Sequence, residues 1–119
     1  MKLLQFFRDL RRVGRAAGFH GAALEAESRG NYEQAHALAK KAFETVRSTA
    51  ADSPPAAAIR LTSVVLLDQV SAKLGKPAPR EEMLESLVSA KEFSSAPEFD
   101  KSIRWLQHRI DELGDDSHR

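Results

Sequence analysis

The chain contains no cysteine. That excludes a disulfide framework, a thiolate nucleophile and a cysteine-based zinc site, and it fits a reducing cytoplasm. There is one tryptophan and one tyrosine, and β-branched runs are few. Little therefore favours strands, while the abundance of alanine and leucine favours helix. No apolar run approaches the ~20 residues a transmembrane helix needs. The start, from Met1 to Asp9, lacks the long apolar region and small-residue cleavage site of a signal peptide. A formal net charge of +1 argues against a general nucleic-acid binder.

Chemistry-bearing patterns are equally sparse. The four histidines, His20, His36, His108 and His118, fall on separate segments without metal-ligand spacing. His108 and Asp111 read as a solvated pair. Glu81 and Glu82 read as first-turn capping charge rather than a carboxylate dyad. No glycine cluster follows a strand, so there is no phosphate loop of the usual type, and no serine sits in a nucleophile elbow. The expectation is no catalytic residue, no cofactor, no metal and no enzyme.

What is present is helical punctuation. The stretch from Pro54 to Leu74 is apolar on two sides. Ile59, Ser63, Leu66, Leu67, Val70 and Leu74 form one stripe, with Leu61, Val64 and Val65 on the other. A helix apolar on both sides is normally covered on both, so this one is expected at the centre. Ser53 reads as its cap, Pro54 as its first residue and Gly75 as its end. Before it, Leu3, Phe6, Phe7, Leu10 and Val13 repeat at helical spacing and predict a first helix packed on the core. Gly14, Gly18 and Gly21 predict a break or weak point in that helix. Gly30 then ends a helix. Asn31 opens the next, with Gln34 completing a capping-box pattern, so a helical hairpin follows.

The second arm presents Tyr32, Ala35, Leu38, Ala39, Ala42, Phe43 and Val46. A fourth helix follows the stiff segment Lys76-Pro77-Ala78-Pro79, with Met83, Leu84, Leu87 and Val88 as its expected buried face. Ser95-Ala96-Pro97-Glu98 opens a last helix that buries Phe99, Ile103, Leu106, Ile110 and Leu113 and stops at Gly114. The predicted fold class is all-α, a compact bundle of five or six helices. Residues 1–114 form one helical domain of a length that buries roughly two thirds of its unfolded surface, and 115–119 form a disordered tail. Charge is asymmetric. Lys2, Arg8, Arg11, Arg12 and Arg15 oppose only Asp9 at the start, and Asp111, Glu112, Asp115 and Asp116 oppose Arg119 at the end. A basic amphipathic start could touch phosphates or lipid headgroups, although a solvated face is the plainer reading.

Gly30-Asn31-Tyr32-Glu33-Gln34-Ala35, followed by Ala42 and preceded by Ala23, resembles the turn and second helix of a single tetratricopeptide repeat. Arg47 stands where that family has a closing proline and Ala26 where it has an aromatic. The run Ser63-Val64-Val65-Leu66-Leu67-Asp68, then Ser86-Leu87-Val88-Ser89-Ala90-Lys91-Glu92-Phe93 and Pro97-Glu98, resembles the helical immunity proteins of bacterial type VI secretion. These neutralise a co-encoded NAD(P)-degrading toxin. The resemblance implies a small cytoplasmic bacterial protein that binds and blocks a cognate toxin. The other readings are a tetratricopeptide-like adaptor or chaperone module, and a membrane-surface or nucleic-acid accessory using the basic first helix. For a protein partner, the expected surface is Glu92, Phe93, Glu98, Trp105 and Arg109. Trp105 lies off its helix's apolar stripe beside Arg109, a place that suits either packing under the basic first helix or an interface anchor.

Overall fold

The computed structural model describes residues 2–47, 54–92 and 97–117. Helices α1 (Lys2–Ser28), α2 (Tyr32–Arg47), α3 (Pro54–Leu74), α4 (Arg80–Lys91) and α5 (Pro97–Ser117) make up an all-α bundle with no strand among the described residues. The two positive-φ glycines, Gly30 and Gly75, end α1 and α3. After α1, the Gly30 N–H bonds the Glu27 carbonyl at 2.9 Å and the Asn31 N–H bonds that of Ala26 at 2.9 Å. After α3, Gly75 bonds Ala72 at 3.3 Å and Lys76 bonds Ser71 at 2.9 Å. Both are Schellman closures, in which a left-handed residue turns two donors back onto orphan carbonyls. At the first, the side chains of Asn31 and Gln34 join at 2.7 Å. So short a connection folds α2 back along α1.

The central position of α3 follows from its two apolar faces. Leu66, Leu67 and Val70 pack with Ala23 and Ala26 of α1 and Ala35 and Ala39 of α2. Leu61 and Val64 pack with Phe43, Met83, Leu87, Phe99, Leu106 and Ile110. Ala56, with Ile59 against it, closes a third cluster with Ala16 and Val46. Each cluster contains α3 residues, so the helix with two apolar sides is the one the others surround. The α1–α2 contact is lined by alanines that bring the two backbones close. The α4–α5 side is filled with larger residues.

Several expectations need correction. Helix α1 is continuous through Gly14, Gly18 and Gly21. All three face solvent, with nothing within 4 Å of an added Cβ. Their cost is therefore propensity alone, and burial of Ala16, Ala23 and Ala26 on the opposite side offsets it. The first turns of α1 are not core: Leu3 is 66% exposed and Leu10 55%, with Leu4 and Phe7 also exposed. The reason is length. α2 ends at Arg47, and its last apolar residue, Val46, meets Ala16 and Val13, leaving residues 2–12 of α1 beyond the reach of α2. In α4, Met83 and Leu87 are buried, but Leu84 and Val88 are exposed and Ser86, Ser89 and Ala90 face inward. α5 runs through Gly114 to Ser117 rather than stopping there. His108 pairs with Glu112 at 2.9 Å, one turn on, not with Asp111. The side chains of Phe6 and Glu98, all of Phe93, and the proposed caps Ser53 and Ser95 lie outside the described residues.

Candidate partner-binding groove

One stripe of α3 is left open by the packing just described. Thr62, Val65 and Gln69 recur at helical spacing on a single side of α3 and are exposed or half-buried. Leu66 turns away from them toward α1, and Asp68 turns the other way toward α5. The open stripe is the floor of a groove with α1 as one wall and α5 as the other. Two adjoining hollows share Val65, Gln69 and Ser102. One, of about 200 Å³, is bordered by His20 and Leu24. The other, of about 260 Å³, is bordered by Lys101 and Trp105. Both walls carry exposed apolar side chains, Leu24 at 46% and Trp105 at 38%.

The α5 wall is fixed by an ion pair. Arg109 donates from Nε to Asp68 Oδ2 at 2.8 Å and from Nη2 to Oδ1 at 3.1 Å. The Asp68 side chain is only 6% exposed. A two-pronged, charge-assisted contact of this kind sets orientation as well as distance, and Trp105 sits one turn earlier on the same helix. On the α1 wall, Nδ1 of His20 is buried without a hydrogen-bond partner. Burial pushes this imidazole below its ordinary pKa, so it is neutral at pH 7. The single formal charge among the lining residues is Lys101.

Of the five residues singled out from sequence, the three whose side chains are described, Glu92, Trp105 and Arg109, do not share one surface. Trp105 stands on the groove. Arg109 is directed at Asp68, with Glu112 at 3.8 Å on its other side. Glu92 follows Lys91, whose Nζ donates to Gln107 at 3.4 Å. Gln107 is about 200° round α5 from Trp105, two residues on at 100° each. Glu92 therefore belongs to the opposite flank. The residues that carry the immunity-protein resemblance are mostly interior: Ser63, Val64, Leu66, Leu67, Asp68, Ser86, Leu87, Ser89 and Ala90 are buried. Among them, Ser86 donates to the Arg60 carbonyl at 3.4 Å. What they carry is helix packing. The floor and far wall, Thr62, Gln69, His20 and Leu24, were missed because only the relative placement of three helices brings them together.

Among the described residues, no group of three or more His, Asp or Glu side chains is placed to hold a metal ion. Among the described residues, no helix is long and apolar enough to cross a membrane. Compared with protein-family models, with curated proteins and with solved structures, the chain matches none.

Proposed function

We propose that this protein is a binding module that seats a segment of one protein partner in the groove between α1 and α5, with Trp105 as the anchor. The observation that carries the reading is the open Thr62–Val65–Gln69 stripe in the middle of the central helix, walled by Trp105 and Leu24. A groove between two helices, with Val65 in its floor and Leu24 and Trp105 on its walls, suits the apolar face of an amphipathic helix. Tryptophan supplies large contact area for few rotatable bonds, as interface anchors do. Lys101 at the rim favours an acidic residue beside the partner's apolar anchor.

Within that reading, the form we favour is an immunity protein that binds and blocks a cognate secreted toxin, on the strength of the back-half resemblance. A tetratricopeptide-like adaptor is the alternative, supported by the tight α1–α2 hairpin. A toxin encoded beside this protein separates them. Co-production should rescue cells from that toxin if the immunity reading holds, and absence of rescue would end it without touching the groove. The groove is tested by variants. Val65→Glu and Trp105→Ala should each weaken binding of the purified partner by at least about ten-fold, roughly the loss expected at an interface anchor. Glu92→Lys should leave binding unchanged. Full binding by both groove variants would refute the site.

A further inference from the structure

The groove leaves unused the first turns of α1, residues 2–15, where charge and apolar area fall on one surface. At about 100° per residue, Leu3, Leu4, Phe7, Arg8, Leu10, Arg11 and Arg15 share an arc of about 160°, and every one of them is exposed. Asp9, Arg12 and Val13, off the arc, are half-buried. Asp9 is the only acid of residues 2–15, and it lies about 180° from the centre of the arc. The exposed surface therefore joins arginines to large apolar side chains and carries no carboxylate.

We infer that this arc docks on the surface of an anionic phospholipid bilayer, with the first half of α1 lying along the headgroups. Charge is the first argument. Residues 2–15 carry Lys2, Arg8, Arg11, Arg12 and Arg15 against Asp9 alone, and such a basic segment is drawn to acidic lipid. The layout of the arc is the second. Leu10, Leu3 and Phe7 fill one side of it, and Arg11, Arg15 and Arg8 the other, with Leu4 among the arginines. Leucine and phenylalanine enter the boundary between headgroups and acyl chains, as in helices that lie in that plane. The arginine stems run along the apolar layer while their guanidinium groups bind phosphate.

Shape is the third argument. The arc points away from Ala16, which is buried with Val46 and Ala56, so a plane can meet it without meeting the bundle behind. Further along, the same side of α1 carries the exposed Gly14, Gly18 and Gly21, too small to hold the plane off. The next acid after Asp9 is Glu25, which is paired with Arg29 at 2.6 Å. Other occupants fit less well. A second copy of this segment would bring the same excess of positive charge. A nucleic acid would take the arginines but leave four large apolar side chains in water. The arc shares no residue with the groove, so the two surfaces are tested separately.

The test is sedimentation of the full chain with phospholipid vesicles. Vesicles of phosphatidylcholine mixed with phosphatidylserine should bind it at least about ten-fold more tightly than pure phosphatidylcholine, since each basic side chain at an acidic surface adds several-fold. Binding should fall steeply as salt rises to about 1 M. The double change Arg8→Gln with Arg11→Gln should weaken it by about ten-fold or more. Leu3→Gln with Leu10→Gln should weaken it by a similar factor through lost apolar burial, with helix content unchanged because both positions are exposed. Lys40→Gln with Lys91→Gln removes two exposed charges elsewhere and should leave binding as it was. No binding to the mixed vesicles overturns the inference, as does an equal loss in the Lys40 and Lys91 pair. Full binding by the Leu3 and Leu10 pair overturns the seating in the bilayer. Tighter binding to a short DNA duplex than to the vesicles, at equal salt, overturns it in favour of nucleic acid.

Discussion

Arg109 grips Asp68 with both Nε and Nη2, at 2.8 and 3.1 Å, across the 41 residues that separate α5 from the middle of α3. The two partners differ in exposure, 28% for the arginine side chain and 6% for the aspartate. Arg109 has a second carboxylate, Glu112, within 3.8 Å. Removing Arg109 leaves a carboxylate stranded in the interior. Removing Asp68 leaves a guanidinium that can lean toward solvent and Glu112. Arg109→Ala should therefore destabilise the fold by about 3 kcal/mol, the lower end for a broken buried pair, and Asp68→Ala by less. Denaturant midpoints of the two variants measure the difference, and the reverse order would refute this account of the pair.

Glycine-to-alanine changes should have opposite signs at two positions. Gly18 lies inside α1, exposed, with room for a Cβ. Gly18→Ala should stabilise by up to about 1 kcal/mol. Gly30 holds φ at 77° in the closure between α1 and α2. Gly30→Ala should destabilise by about 1 kcal/mol, the left-handed penalty for a side chain, and Gly30→Val by more. Thermal melts of the three variants at one low protein concentration check this. A stabilising Gly30→Ala would show that the closure does not need its left-handed residue.

Acid should weaken the fold through two histidines. Burial pushes His20 below its ordinary pKa. His36 is lowered first by burial and then by Lys76 and Lys40, with Glu33 opposing. A folded-state pKa below the unfolded one means that the unfolded chain binds protons more readily. Above about pH 6.5, the unfolded value, neither state is protonated and there is no effect. As pH falls below it, stability drops until the folded imidazoles also take up protons. Replacing both histidines with glutamine should flatten this part of the profile, read from urea midpoints on either side of that pH. An unchanged slope would assign the acid sensitivity elsewhere.

Sequence reading reached the fold through punctuation. Gly30, Pro54, Gly75 and Pro97 mark where helices end or begin, for reasons local to the backbone, and the helices start and stop beside them. The two apolar sides of α3 placed it at the centre correctly. The errors came from properties of neighbours. The periodicity of Leu3, Phe7 and Leu10 says that one side of α1 is apolar, but not that α2 is too short to cover it. Ser86 and Ser89 are buried while Leu84 and Val88 are exposed, and hydropathy alone orders them the other way. At the candidate site, Trp105 stood out because it lies off its own helix's stripe. Thr62, Val65 and Gln69 did not, since whether a side of α3 is covered depends on how far α1 and α5 stand apart. The Asp68–Arg109 pair had no local signal at all.

The claim that the groove seats a partner is tested most directly by Trp105 itself, the sole tryptophan of the chain. Its emission should be followed as purified partner is added, with the Trp105→Phe variant subtracting the partner's own signal. Docking in the groove takes the indole out of water. The account predicts a shift of emission to shorter wavelength and loss of quenching by acrylamide, both saturating with the binding isotherm. Emission and quenching that stay unchanged when the partner is fully bound would contradict it.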